Sequence, residues 1–195
     1  EKDLIRVKAY ANGMSDELVV RFRHYGLSTF DAADVDKLNG SDQAPQLYFL
    51  SSDQRALCIN TLPYSTETVT VDMGMQLMAD GTVTLVFSGF EFFEAGASIF
   101  LEDLLTGQMT DLRANPSYAF EHSQGNDPLR FRLHFMGVTA TAETAENSLK
   151  VWNTADRIFF SLPQSEAQQA LVEQLDLLGR VIHSEQMRLG TVNSI

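Results

Sequence analysis

The chain has 195 residues, enough for one domain or two, and carries 14 Lys and Arg against 26 Asp and Glu, a net charge of −12. Such a charge repels phosphate backbones and anionic membrane surfaces, so we expect no nucleic acid partner. No stretch reaches the roughly 18 to 20 consecutive apolar residues that a membrane-spanning helix needs. Because the chain enters a strand-like run at once after Glu1, we expect a fragment or a processed product.

Period-two alternation dominates the first two thirds of the chain. Short apolar runs are separated by Gly, Asn, Asp and Pro, the pattern of half-buried antiparallel strands. The clearest strands are Leu18–Phe22, Gln46–Leu50, Thr68–Val71, Thr82–Phe87, Ser98–Leu101 and Leu129–Phe135. Turn signals lie at Asn12-Gly13, Asn39-Gly40, Asp80-Gly81, Thr106-Gly107 and Gly125–Pro128. This spacing predicts an all-β fold, an antiparallel β-sandwich with jelly-roll-like connections, over residues 1–136.

The composition changes after the last of these strands. Residues 137–148 are mostly small and polar, with nothing large enough to anchor in a core. Segments of this kind connect domains. We therefore predict a linker at 137–148 and a second, smaller unit at 149–195.

Two patterns compete within the second unit. Ser165–Gln168 has the composition of a capping box, and apolar residues then recur at helical spacing at Ala167, Leu171, Leu175 and Leu178, which favours a helix over 165–178. The alternative is a strand over Ala170–Asp176, followed by a turn at Leu177–Arg180 and a return strand. We predict the strand, because Gly179 followed by Val181 and Ile182 is typical of a hairpin.

The end of the chain resembles a known export signal. Asp176-Leu177-Leu178-Gly179-Arg180 lies between apolar runs and follows Leu149–Asn153 and Arg157–Phe160. This arrangement resembles the C-terminal sorting domain of proteins exported by the type IX secretion system of Bacteroidota, in which a strand, an Asp-x-x-Gly-Arg turn and an apolar return strand follow one another. The resemblance assigns Asp176, Gly179 and Arg180 to the sorting-domain turn, and it implies that residues 149–195 form a small immunoglobulin-like β-sandwich domain.

The first domain carries a related resemblance. Lys37–Tyr48, Ile99–Gly107 and Asp111–Arg113 look like the β-sandwich region that precedes the sorting domain in large surface proteins of Bacteroidota. The resemblance implies a secreted or cell-surface protein, such as an adhesin, that passes through the periplasm and has the type IX translocon and outer-membrane shuttle proteins as partners. Because the family pattern continues to further strands and this chain ends at Ile195, we expect an incomplete sorting domain.

The sequence offers no constellation for catalysis or for a cofactor. The four histidines, His24, His122, His134 and His183, lack the spacing of a zinc site. Cys58 lies in an apolar run and is interpreted as a buried thiol. No serine lies in a Gly-x-Ser-x-Gly motif, and no glycine loop is arranged to hold a phosphate. We therefore predict no enzyme activity, no cofactor and no metal.

Three polar features have simple structural interpretations. The acidic run Asp31–Gly40 departs from the EF-hand spacing, which leaves an exposed acidic loop or a surface calcium site of another type. Glu102 and Asp103 are neighbours in a strand and point to opposite faces, so they do not act on one bond. Arg130, Arg132 and His134 share one strand face, which we interpret as solvated.

A second function remains open, that of a carbohydrate-binding or adhesive module. A β-sandwich can present aromatic rings to a glycan or to another surface protein. The candidate rings are Phe87, Phe90, Phe92, Phe93 and Phe100. Phenylalanine usually lies in the core of a sandwich, which is the competing interpretation of the cluster.

Overall fold

The computed structural model describes residues 3–138, 150–153, 157–161, 168–189 and 193–194. The chain divides into two compact units, Glu1–Glu143 and Thr144–Ile195. Residues 139–148, most of the predicted linker 137–148, lie outside the described residues. The domain limits derived from the sequence therefore stay predictions.

Strands are the main secondary structure of the described residues, with one short 3₁₀ helix at Phe90–Phe92. The strands of the first unit are β1 Leu4–Ala11, β2 Met14–Phe22, β3 Val35–Asp36, β4 Gln46–Leu50, β5 Ala56–Leu62, β6 Val69–Gln76, β7 Gly81–Ser88, β8 Ser98–Asp103, β9 Gln108–Asp111, β10 Ser117–His122 and β11 Phe131–Met136. Those of the second unit are β12 Lys150–Asn153, β13 Ile158–Ser161, β14 Gln168–Leu175, β15 Val181–Leu189 and β16 Asn193–Ser194. The predicted all-β class is confirmed.

The first unit is built on one sheet of eleven strands. Its order is β10-β7-β1-β2-β5-β4-β6-β11-β8-β9, with β3 paired to β5. Neighbouring strands run antiparallel except β2 and β5, which are parallel, with Val19 opposite Ile59. The sheet is therefore mixed, whereas the sequence predicts antiparallel pairing alone. The long connection from β2 to β5 contains β3 and β4, and such a connection lets a chain return in the same direction.

The large sheet curls so that strands near its two ends meet. Tyr118 of β10 donates a hydrogen bond to Asp103 of β8 at 2.8 Å, although these strands are far apart in the sheet order. The rings of Phe120 and Phe131 lie 4.9 Å apart and fill the space between the same ends. The inward side chains form one β-sandwich-like core, which includes Ile5, Val7, Leu18, Phe22, Leu85, Leu133 and Phe135.

The prediction that Arg130, Arg132 and His134 form one solvated face is wrong for Arg130 and His134, whereas Arg132 is only half-buried. His134 is fully buried and Arg130, just before the strand, is nearly so. Their partners come from β8, which lies beside β11: Glu102 bonds His134 at 2.9 Å, and Asp103 accepts two hydrogen bonds from Arg130. Paired partners replace water, which is how charged side chains are accommodated inside a protein.

The second unit contains two small sheets among its described residues. One has the order β12-β13-β16, and the other is the hairpin β14–β15. The predicted strand around Ala170–Asp176 is confirmed, and the helix over 165–178 is wrong for the described part, because Gln168–Leu175 pairs along its length with β15. Residues 165–167 of the capping-box pattern lie outside the described residues. The immunoglobulin-like arrangement of this unit stays a prediction.

In the part of the chain that the structure describes, no helix has the length and apolar character needed to span a membrane.

Candidate functional site

The turn at Asp176–Arg180 joins the two strands of the hairpin. The backbone N–H of Gly179 donates to the carbonyl of Asp176 at 3.0 Å, and the N–H of Asp176 donates to the carbonyl of Arg180 at 2.9 Å. Gly179 has a φ of +78°, the left-handed conformation that glycine adopts without strain. A hairpin turn followed by a left-handed glycine matches the right-handed twist of the flanking strands. The local sequence thus determines the turn.

The Asp176 side chain holds the turn together from inside. Its Oδ1 accepts hydrogen bonds from the backbone N–H groups of Leu178 at 2.8 Å and of Arg180 at 3.0 Å. Its Oδ2 accepts from the Arg180 guanidinium at 2.7 Å. Hydrogen bonds from the Arg180 backbone, then from its side chain, hold the pKa of Asp176 below its usual value. The residues assigned to the sorting turn therefore contact one another.

The hairpin exposes an apolar surface on both sides of this turn. The Leu177 and Leu178 side chains at the tip are almost entirely in solvent. More than half of the surface of other apolar residues is also exposed, at Leu171, Leu175 and Ile182. Exposed apolar patches of this kind often mark sites of interaction with another molecule.

Two carboxylates of the acidic run bind groups of the protein itself. Asp34 is buried and accepts hydrogen bonds from the backbone N–H groups of Thr61 and Asp31. Asp36 is bound by the guanidinium of Arg55. Among the described residues, no three His, Cys, Asp or Glu side chains lie close enough to hold a metal ion. These carboxylates therefore stabilise the loop. The interpretation of the run as an exposed acidic loop is wrong for Asp34, which is buried.

Glu102 and Asp103 point to opposite faces of β8, as predicted. Asp103 reaches the interior, where it accepts hydrogen bonds from Arg130 and from the Tyr118 hydroxyl. Glu102 reaches the other face and bonds His134. The pair therefore belongs to two separate polar groups.

A row of three polar side chains, which no sequence motif indicated, crosses β6, β11 and β8. The Thr70 hydroxyl lies 3.2 Å from Nδ1 of His134, and Nε2 of His134 lies 2.9 Å from Glu102. A hydroxyl, an imidazole and a carboxylate follow one another as in a catalytic triad. His134 and Glu102 are buried, and the row joins three neighbouring strands. We interpret these three side chains as a structural hydrogen-bond network between strands. They are far apart in the sequence and become neighbours only through the register of β6, β11 and β8.

The phenylalanine cluster does not form an exposed platform. Phe87, Phe93 and Phe100 are buried. Phe90 and Phe92 belong to the 3₁₀ helix and are only partly exposed. The core interpretation of the buried rings is confirmed, so a glycan site at this cluster is not supported. Cys58 is half-buried, and its thiol donates to the carbonyl of Asp36.

An open groove lies beside β2, in a place that no sequence motif indicated. It has a volume of about 550 Å³ and is lined by Arg21, Tyr25, Leu27 and Asp31 together with Ala32 and Ala33. Tyr25 and Leu27 are large side chains that expose 66% and 52% of their surface. Their proximity depends on the path of the loop after β2.

Comparisons with protein-family models, with curated proteins and with solved structures found no match to this chain.

Proposed function

We propose that the chain is a non-enzymatic C-terminal region of a secreted or cell-surface protein, in which the first unit is a structural β-sandwich and the second carries a type IX sorting signal. The partners are the type IX translocon and the outer-membrane shuttle proteins, which the protein meets after passing through the periplasm. The observation that carries the proposal is the Asp176–Arg180 turn, in which both Gly179 and Arg180 donate hydrogen bonds to Asp176.

The geometry of the hairpin suits recognition by another protein. Asp176 and Arg180 neutralise each other, so the tip presents Leu177 and Leu178 without a net charge. Within the described residues, β14 and β15 pair only with each other, and each therefore has an unpaired edge. An unpaired edge is a template for an added strand, and exposed apolar side chains supply specificity.

The turn offers a sharp test at Gly179. A Cβ placed there meets no atom within 4 Å, so a substitution affects the backbone conformation and not the packing. A β-branched residue is strained at this φ by about 1 to 3 kcal/mol, whereas asparagine tolerates the left-handed region. Gly179→Val should therefore disorder the hairpin, and Gly179→Asn is the matched control.

The assay measures delivery of a reporter in a Bacteroidota host. The reporter is fused to this chain, and the fusion keeps the native C-terminus of the protein. We expect the unmodified fusion and Gly179→Asn to reach the surface or the medium, and Gly179→Val to accumulate in the periplasm. Asp176→Ala, which removes the hydrogen bonds of the carboxylate, should behave like Gly179→Val. Equal delivery of a reporter that lacks everything after residue 148 would show that the export signal lies elsewhere.

The proposal of a non-enzymatic role has its own test. The purified chain should turn over no glycoside, ester or peptide. Activity that disappears on substitution of one carboxylate, or of Thr70 or His134 in the cross-strand network, would contradict it.

A further inference from the structure

The groove beside β2 has walls that are held in place by buried and half-buried hydrogen bonds. The guanidinium of Arg21 donates from Nε to the hydroxyl of Thr61 and from Nη2 to the carbonyl of Ala33, both at 2.9 Å. The Thr61 hydroxyl donates to the same carbonyl at 2.9 Å. The carboxylate of Asp34 accepts hydrogen bonds from the backbone N–H groups of Thr61 and Asp31, which fixes the loop to β5. The loop segment 31–34 is thus attached to both β2 and β5 before any ligand binds.

Two polar groups at the groove, one hydrogen-bond donor and one acceptor, are available to a ligand. The Nε and Nη2 groups of Arg21 are occupied, while its Nη1 has no hydrogen-bond partner among the described residues. Asp31 accepts from the N–H of Ala33 with Oδ1, and its Oδ2 has no such partner within the described part of the chain. A fixed guanidinium beside a carboxylate is suited to a ligand that both accepts and donates hydrogen bonds.

The apolar atoms of the groove complete the set. The ring of Tyr25 and the side chain of Leu27 are exposed at its wall. A tyrosine ring supplies a large, rigid apolar face with a polar tip. Binding sites for small polar molecules commonly combine such apolar faces with a few fixed polar groups.

The charges decide between classes of ligand. The chain has a net charge of −12, and Asp31 lies in the groove beside its single arginine, so an anionic ligand is disfavoured. A metal ion would require more carboxylates than the groove contains. A neutral saccharide fits, because its hydroxyl groups accept from Arg21 and donate to Asp31 while the C–H face of its ring packs on Tyr25.

We propose that the groove formed by Arg21, Tyr25, Leu27 and Asp31 binds a neutral oligosaccharide. The site lies in the first unit and uses none of the phenylalanine cluster considered from the sequence. It does not depend on the proposed sorting role, since no residue of the hairpin takes part.

The test is titration calorimetry of the full chain with four neutral hexasaccharides, those of cellulose, laminarin, mannan and xylan, and with an oligogalacturonate as the anionic comparison. At least one neutral hexasaccharide should bind, and the oligogalacturonate should bind more weakly. Tyr25→Ala should weaken binding about tenfold, the effect of losing one well-packed aromatic contact. Tyr10→Ala, an exposed tyrosine on β1, is the matched control and should leave the affinity unchanged.

A second variant guards against a folding defect. Asp31→Asn keeps the Oδ1 acceptor for Ala33 and replaces only the free oxygen, so it should fold normally and still weaken binding severalfold. Circular dichroism and thermal unfolding report the fold of each variant. Binding of none of the neutral sugars, tighter binding of the anionic one, or an unchanged affinity in both Tyr25→Ala and Asp31→Asn would each overturn the proposal.

Discussion

The buried group of Asp103, Arg130 and Tyr118 should control the stability of the first unit. Asp103 is fully buried and accepts hydrogen bonds from Arg130 Nε at 2.8 Å, Arg130 Nη2 at 2.7 Å, the Tyr118 hydroxyl at 2.8 Å and the Leu105 N–H at 3.0 Å. The Arg130 guanidinium also lies 4.4 Å from the centre of the Phe120 ring. These contacts join β8, β10 and β11, the strands at which the curled sheet meets itself.

Replacing Asp103 by asparagine keeps its size and removes its charge, which leaves the Arg130 guanidinium buried without a counter-ion. Breaking a buried ion pair in this way costs about 3 to 5 kcal/mol. Since a domain is stable by about 5 to 15 kcal/mol in total, the variant should lose a large share of its free energy of unfolding. Tyr118→Phe removes one hydrogen bond to an ionised group and should cost about 1.5 to 3 kcal/mol.

The measurement is urea unfolding followed by circular dichroism, with hydrogen exchange of the amides of β8, β10 and β11 to locate the loss. The double variant Asp103→Leu with Arg130→Met removes both charges and should be more stable than either single variant, because an apolar pair leaves no unpaired charge. A cost below about 1 kcal/mol for Asp103→Asn would refute the reasoning, since the ion pair would then not be needed to close the sheet.

The same group makes the first unit sensitive to acid. Burial raises the pKa of Asp103, but hydrogen bonds from Arg130 and Tyr118 outweigh burial and hold that pKa below its usual value. The native state therefore favours the ionised form. The stability that ionised Asp103 contributes is complete above the pKa of this carboxyl in the unfolded chain, and it is lost as the pH falls through its pKa in the native state. Asp103→Asn should remove that part of the acid dependence.

Two further predictions concern other positions of the first unit. Burial, and then the hydrogen bond that the Tyr64 hydroxyl donates to the Asp3 carboxylate, raise the pKa of Tyr64 to about 12. The native state therefore favours the neutral hydroxyl, and the stability that Tyr64 contributes is complete below about pH 10 and is lost as the pH rises to about 12. Tyr64→Phe should flatten the alkaline fall in the unfolding midpoint, and equal falls in both proteins would count against this account. Gly89 has a φ of +102°, and a Cβ there would lie 2.1 Å from the carbonyl oxygen of Leu4, so Gly89→Ala should cost more than about 2 kcal/mol in chemical unfolding. Gly13→Ala, at a φ of +73° with no atom within 4 Å, should cost clearly less, and a similar cost for both would exclude the contact with Leu4 as the cause.

Local sequence patterns determined the strands and the tight turns of this protein. Alternation of apolar residues predicted strands such as Gln46–Leu50, which the structure has with the same limits. The hairpin around Asp176–Arg180 was also predictable, because a glycine in the left-handed conformation and an aspartate that caps its own turn act over five residues. Features of this range depend on few partners, all of them close in the sequence.

Only the tertiary structure decided which strands are neighbours and which faces are covered. Alternation places His134 on one face of β11, but it does not show that Glu102 lies beside it as a partner. Nor does it show that Arg130, which precedes the strand, turns to Asp103 on the opposite face. The parallel pairing of β2 with β5 and the groove between Arg21 and Tyr25 arise in the same way, from contacts between distant segments. Side-chain period sets the face of a strand, whereas the register and order of strands depend on how the whole chain buries its apolar surface.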